Sequence, residues 1–164
     1  MSGSSVRMYR ATLRTNSAPP KLVVVEAECL SPDERTAFAL LSSRVAAVLV
    51  PCPARGELAI RCQTHGCSLN QAAVIATSQR GLPLLLEAGI ALALRGAGYN
   101  EAAADTVFKP RSSGGLAAAI EYAQARCLKG QAETKAKARS GNRRVHKVNV
   151  DHVENTPVMQ PLRR

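Results

Sequence analysis

The stretch LPLLLEAGIALAL, residues 82–94, decides how the rest of the chain must fold. Glu87 is its one charged residue. A helix that is apolar on nearly every side has to be enclosed, because no face is left for water. The stretch therefore predicts a central helix, ended by the glycines at 96 and 98 and covered by other elements or by a second copy of the chain.

The residues before this helix carry four strand-like patterns. Two segments alternate between apolar and polar residues and two are apolar runs that contain β-branched residues. The turn sequence at 53–56 separates the last two segments and predicts a hairpin. The four predicted strands are residues 6–14, 21–28, 44–51 and 57–62.

Helix signals come mainly in the later part of the chain. Ser31 with Glu34, and Ser68 with Gln71, have the spacing of capping boxes. Asn100 is placed to cap a short helix, and residues 116–129 have helical spacing. Strands followed by helices favour the α+β class, with a small four-stranded, mainly antiparallel sheet packed by three to five helices.

The chain has 164 residues, which is enough for one domain and a tail. We expect a disordered start at residues 1–5, a single α+β domain at 6–129 and a flexible basic C-terminal tail at 130–164. The tail holds too little apolar surface to offset the entropy of ordering it.

Positive charge is concentrated in that tail. The net charge is +10, and residues 128–164 carry nine Lys and Arg against three Asp and Glu. Such asymmetry indicates a polyanionic partner, with backbone contacts to RNA or DNA that release counterions. The predicted nucleic-acid-binding residues are Lys129, Lys135, Lys137, Arg139, Arg143, Arg144, Lys147, Lys109 and Arg111.

The first functional hypothesis is a non-enzymatic nucleic-acid-binding accessory protein that acts in assembly, viral or mobile-element packaging, or regulation. Sequence readout is not expected, because no aromatic-rich strand offers a stacking platform. A homodimer is expected, since a small chain has little material to cover an apolar helix. The alternative is a protein-interaction module that docks on a larger complex through its body, while the basic tail meets an acidic protein surface.

A third hypothesis is a zinc- or thiol-dependent enzyme. Thiolates and imidazole are zinc ligands, and the proposed hairpin would bring Cys52 near Cys62, His65 and Cys67. The other interpretation makes these cysteines small core residues and His65 part of a turn. No phosphate-cradling glycine motif is present. We therefore assign no catalytic residue. Zinc is the one cofactor that the sequence leaves open.

Five cysteines and the lack of an apolar leader favour reduced thiols and a cytoplasmic location, or one within a virion or nucleoprotein complex. The first 25 residues contain basic, Ser and Thr residues and no acid, so a mitochondrial transit peptide stays an alternative. Residues 82–94 are too few to span a bilayer, which takes about 20 residues, and no membrane is expected as a partner.

Overall fold

Five short strands form one sheet in the computed structural model, which describes residues 18–147 and, of these, the side chains up to residue 140. All neighbouring strands pair in parallel, in the order β2-β1-β3-β4-β5. The strands are β1 Leu22–Glu26, β2 Ala46–Val50, β3 Ala72–Ala76, β4 Ile90–Leu94 and β5 Thr106–Phe108.

Helices connect successive strands, as parallel pairing requires. They are α1 Pro32–Ser42, α2 Glu57–Thr64, α3 Leu82–Glu87, α4 Asn100–Ala103 and α5 Gly115–Lys147. Single 3-10 turns at Leu69–Gln71, Gln79–Gly81 and Arg111–Ser113 precede β3, α3 and α5. The chain is thus a doubly wound α/β fold of the Rossmann-like kind.

The core lies on both faces of the sheet. On one face, α1 and α5 bury Leu41, Leu116 and Ile120 against alternate strand residues. On the other face, α2 and α3 bury Leu58 and Leu85. Strands β1, β3 and β4 are buried at every position, which is why they read as apolar runs.

The predicted four-stranded, mainly antiparallel sheet is wrong, and residues 82–94 show why. The stretch forms α3, a bend at Ala88 and Gly89, and the buried strand β4. At the bend, the Gly89 N–H donates to the Leu69 carbonyl at 3.1 Å. A Cβ on Gly89 would overlap the Asn70 backbone, so only glycine fits. The stretch is apolar throughout because it supplies both a helix and an interior strand.

The predicted hairpin at 44–62 is also wrong. Its first strand exists as β2, but residues 57–64 form helix α2, which crosses the sheet so that β3 can pair with β1. The capping box at Ser31 is confirmed and opens α1. The one at Ser68 opens only a 3-10 turn. The predicted strand at 6–14 lies outside the described residues.

The homodimer was expected because a single apolar helix at 82–94 would need a second copy to cover it. These residues form a short helix and a strand instead. β4 is enclosed by its own chain, between β3 and β5 and beneath helices on both faces. The apolar stretch therefore leaves no large unpartnered helical face that would require a second copy.

The C-terminal helix α5 does not stop at Gly130 but continues to Lys147. The chain divides into two units, residues 1–131 and 132–164. In the second unit, residues 132–140 are exposed. Across the residues that the structure describes, none of the helices combines the length and apolar character needed to cross a membrane.

A buried ion pair fastens the start of α1 to the loop after β5. Glu34 forms the capping box with Ser31 and accepts from the Arg111 guanidinium, with Nε at 2.8 Å and Nη2 at 2.6 Å. Arg111 also donates to the carbonyl of Cys29. The hydrogen bond from Arg111 lowers the pKa of Glu34. This pair therefore fixes two of the five loops that leave the carboxyl ends of the strands.

Gly89→Ala is expected to destabilise the chain by about 1–3 kcal/mol, because the added methyl must displace backbone rather than a flexible side chain. Thermal unfolding monitored by circular dichroism would measure the loss. Gln63→Ala, an exposed change on α2, is the control and should stay within about 0.5 kcal/mol. Equal melting temperatures for the two variants would show that the bend at Gly89 is not closely packed.

Arg111→Met is expected to lower the free energy of unfolding at pH 7 by about 1–3 kcal/mol, less than for a fully buried pair because the Arg111 side chain is 35% exposed. The pKa of Glu34 lies below its ordinary value of 4.5. Its stabilisation is therefore complete above that value and is lost as the pH falls through the lowered pKa.

Urea unfolding at pH 7 and at acidic pH would test this, with the exposed Arg126→Met as control. The deficit of Arg111→Met should shrink in acid. A deficit of the same size at both pH values would mean that the Glu34 charge does not contribute.

Candidate functional site

The carboxyl ends of all five strands meet at one edge of the sheet, because the strands are parallel. Strand β1 is an interior strand that pairs with β2 on one side and with β3 on the other. Between β1 and β3 the strand order reverses. In open doubly wound sheets, ligands bind outside the carboxyl ends at this switch point. The candidate site is therefore the edge where β1 and β3 end.

Glu26 ends β1 at the switch point and is only 2% exposed. Its Oε2 accepts from the backbone N–H groups of Thr77 and Ser78, each at 2.9 Å. Its Oε1 accepts from the Ser78 hydroxyl at 2.8 Å. The Thr77 hydroxyl lies 3.3 Å from Oε2 but donates to the Glu26 backbone carbonyl, which is nearer at 2.8 Å. We call the three donors to the carboxylate the Glu26 cradle. They meet the charge of a carboxylate that burial alone would disfavour.

Asn100 holds the cradle from the next loop. It is fully buried at the start of α4, and its Nδ2 donates to the Ser78 carbonyl. Its Oδ1 is the single buried side-chain oxygen or nitrogen in the described part of the chain that lacks a hydrogen-bond partner. An unpaired buried acceptor costs free energy, so this atom is a candidate contact for a ligand donor or a bound water.

Basic side chains surround the edge. The five loops that follow the strands are residues 27–31, 51–56, 77–81, 95–99 and 109–114, and together they hold five basic residues against one acid, Glu28. Arg80 pairs with Glu28, but both side chains are more than half exposed. An exposed pair of this kind is weak and can be exchanged. The basic residues are Arg55, Arg80, Arg95, Lys109 and Arg111.

The structure does not bring the predicted zinc ligands together. Cys52 lies before helix α2, Cys62 lies within its last turn, and His65 and Cys67 follow it. The whole helix, eight residues and about 12 Å long, separates Cys52 from His65 and Cys67. No group of three or more His, Cys, Asp or Glu side chains in residues 18–140 is arranged to hold a metal.

Two of the thiols, those of Cys62 and Cys127, also lack the setting of a nucleophile. Burial, with Cys67 beside it, raises the pKa of the Cys62 thiol to about 12. Burial likewise raises the pKa of Cys127 to about 11. Thiols with such pKa values stay protonated near neutral pH, and the thiolate is the reactive and metal-binding form. Cys62 and Cys127 are therefore core residues.

The predicted nucleic-acid-binding residues fall in two places. Lys129, Lys135, Lys137 and Arg139 are exposed on α5. Arg143, Arg144 and Lys147 also belong to α5, beyond the residues whose side chains are described. Lys109 and Arg111 lie in the loop after β5, at the candidate site. The Arg111 guanidinium is committed to Glu34 and to the Cys29 carbonyl.

Sequence reasoning missed Glu26, Thr77, Ser78 and Asn100. A signal for the first three exists: an acid follows Leu22–Val25 directly, and two hydroxyl residues follow the apolar run Ala72–Ala76. Polar residues directly after buried parallel strands mark a carboxyl edge. No local pattern indicates Asn100, because its partner Ser78 is 22 residues away.

Comparison with solved structures identifies the fold. The chain is similar to the cobalt-bound form of the deoxy-D-mannose-octulosonate 8-phosphate phosphatase of Haemophilus influenzae, with a TM-score of 0.53, 13% identity, and coverage of 68% of this chain and 96% of that one. A 3-deoxy-D-manno-octulosonate 8-phosphate phosphatase of Yersinia pestis matches with a TM-score of 0.49, 14% identity, and coverage of 75% and 88%. A Legionella pneumophila protein assigned to the HAD superfamily of hydrolases, subfamily III A, matches with a TM-score of 0.46, 13% identity, and coverage of 79% and 98%.

Neither a protein-family model nor a curated protein matches the sequence. At 13% identity the Haemophilus structure shows the fold alone: the sheet and helices of this chain follow the architecture of that protein.

This result corrects the functional prediction from sequence. The assignment as a non-enzymatic nucleic-acid-binding protein for assembly or packaging is wrong, since the fold is that of phosphatase enzymes. The prediction that nucleic acid is the main partner is wrong for the same reason. The physical reason is that the charge asymmetry was measured along the chain, whereas the fold gathers basic residues of four separate loops at one edge.

Proposed function

We propose that the chain is a hydrolase of small phosphate esters whose active site is the carboxyl edge of the sheet around Glu26. The observation that carries this proposal is a buried carboxylate at the switch point, set among hydroxyl and amide donors and surrounded by basic side chains from successive loops. The Haemophilus protein with this fold is a deoxy-D-mannose-octulosonate 8-phosphate phosphatase. By analogy, the similarity of fold favours this reaction class.

Glu26 is the residue to which we assign the chemical step. Of the two buried acids in the described residues, Glu34 is engaged by Arg111. Glu26 Oε1 accepts from one hydroxyl, which can rotate and leave a lone pair for an incoming water. Glu26 then takes a proton from this water while the water oxygen bonds to phosphorus and the bond from phosphorus to the ester oxygen breaks. The departing oxygen takes a proton from solvent at the exposed edge, and Glu26 returns its proton to solvent after the product leaves.

Arg80, Arg95 and Lys109 are assigned to the phosphate group. They leave three different strands at the same edge, so their positive charges act on one volume. The exposed pair with Glu28 lets Arg80 exchange a carboxylate for a phosphate at little cost. Asn100 Oδ1, which lacks a donor, is the candidate contact for a hydroxyl of the substrate or for an ordered water.

A divalent cation is the cofactor that the comparison suggests, since the Haemophilus phosphatase was solved with cobalt. In this chain the oxygens at the switch point do not suit one. Glu26 Oε2 accepts from two backbone N–H groups that cannot turn away, and Glu28 is paired with Arg80. We therefore route no step through a metal.

The cytoplasmic location remains a prediction.

Phosphate release from a panel of small phosphate esters, sugar phosphates included, would test the proposal on the purified full chain. The wild type should release phosphate, and Glu26→Gln should lose about a hundredfold or more in kcat/KM, because a positioned base is worth that much. Glu121→Gln on the exposed face of α5 is the matched control and should keep full activity.

Two outcomes would contradict the proposal. One is the absence of phosphate release above background from every ester tested. The other is equal activity in Glu26→Gln and wild type, provided that both variants show the circular dichroism of the folded chain.

A further inference from the structure

We infer that the charge of Glu26 is balanced by hydrogen bonds from the loop after β3 and not by a divalent cation, so that this centre works without a bound metal ion. The inference concerns the same site as the proposed hydrolase function and rests on it for its catalytic part. Its binding part can be tested whether or not a substrate is found.

The first argument is the orientation of the cradle. Oε2 of Glu26 accepts two backbone N–H groups, and backbone donors cannot turn away as a side chain can. These N–H groups present positive dipole ends to the volume beside the carboxylate, where a cation would have to sit. The same arrangement of successive amides suits an anion, and here the anion is the Glu26 side chain itself.

The second argument is how closely the loop encloses the carboxylate. Gly81, at the end of the 3-10 turn after the cradle, is buried, and a Cβ there would lie 3.2 Å from Oε2 and would overlap Ala76. Asn100 holds the Ser78 carbonyl from the neighbouring loop, so that oxygen is also occupied. The backbone around Oε2 therefore leaves no room for a cation with its shell of waters, which magnesium releases reluctantly.

The third argument is charge. Magnesium is usually held through one or two carboxylates. The second carboxylate at this edge is Glu28, which is exposed and paired with Arg80. Of the five basic residues in the loops, Arg80 and Arg111 are paired with Glu28 and Glu34. Arg55, Arg95 and Lys109 then stand against the one charge of Glu26, so a divalent cation would enter a volume that is already positive. A phosphate ester is negatively charged, so the same positive volume would attract it.

Amide NMR spectra of the full chain, recorded during titration with MgCl2 and with paramagnetic CoCl2, would test the inference directly. We expect no saturable shift of the Thr77 and Ser78 amides with Mg2+ up to millimolar concentrations. We also expect no broadening by Co2+ beyond that in Glu26→Gln, which keeps the side-chain shape and removes the charge. If the chain hydrolyses an ester, EDTA should leave the rate unchanged.

A saturable magnesium shift at Thr77 and Ser78 that is lost in Glu26→Gln would overturn the inference, as would a rate abolished by EDTA and restored by Mg2+. These outcomes are distinct from failure of the proposed function. If no ester is hydrolysed but the amides stay unshifted, the hydrolase proposal fails and the account of the Glu26 charge stands.

Discussion

The contact between Glu26 and the loop at Thr77 and Ser78 is the interaction on which the edge of this sheet depends. It joins Glu26 to two residues that follow it by 51 and 52 positions in the sequence. The contact thereby connects the ends of two neighbouring strands. The carboxylate is nearly inaccessible, so its charge must be met within the protein. Three donors meet it, and a neighbouring asparagine fixes the loop that supplies them.

The rest of the edge is built outward from that contact. Glu34 and Arg111 fasten the loops after β1 and β5, and Asn100 fastens the loop after β3 to the one after β4. The remaining basic side chains of this edge stay at the surface, where an incoming anion can reach them. Rigid negative charge inside and adaptable positive charge outside is the arrangement that a phosphate-ester hydrolase needs.

Local signals in the sequence were sufficient for some elements and not for others. The capping box at Ser31 fixed the start of α1, and the β-branched run at 22–25 identified β1. Residues 72–76 and 90–94 could not be assigned in the same way, because alanine- and leucine-rich runs suit a helix as well as a strand buried on both faces. The bend at Gly89 depends on Asn70, which no local pattern connects to it.

The candidate site was hidden for a related reason. Its residues are single positions at the ends of apolar runs, and only a parallel sheet brings those ends together. The alternation at 57–62 favoured a hairpin, although these residues form a helix. A hairpin implies antiparallel pairing, so a parallel sheet was not predicted. The same hairpin placed Cys52 near Cys62, which led to the zinc hypothesis. Charge density along the chain then directed attention to residues 128–164 and away from the loops that build the edge.

An amide NMR titration of the full chain with inorganic phosphate, the product of the proposed reaction, tests the central claim most directly. The account predicts saturable shifts that cluster at the loops after β1, β3, β4 and β5, Ser78, Arg80, Arg95 and Lys109 among them. Shifts confined to the basic residues of α5, or no saturable shift at any concentration, would contradict it.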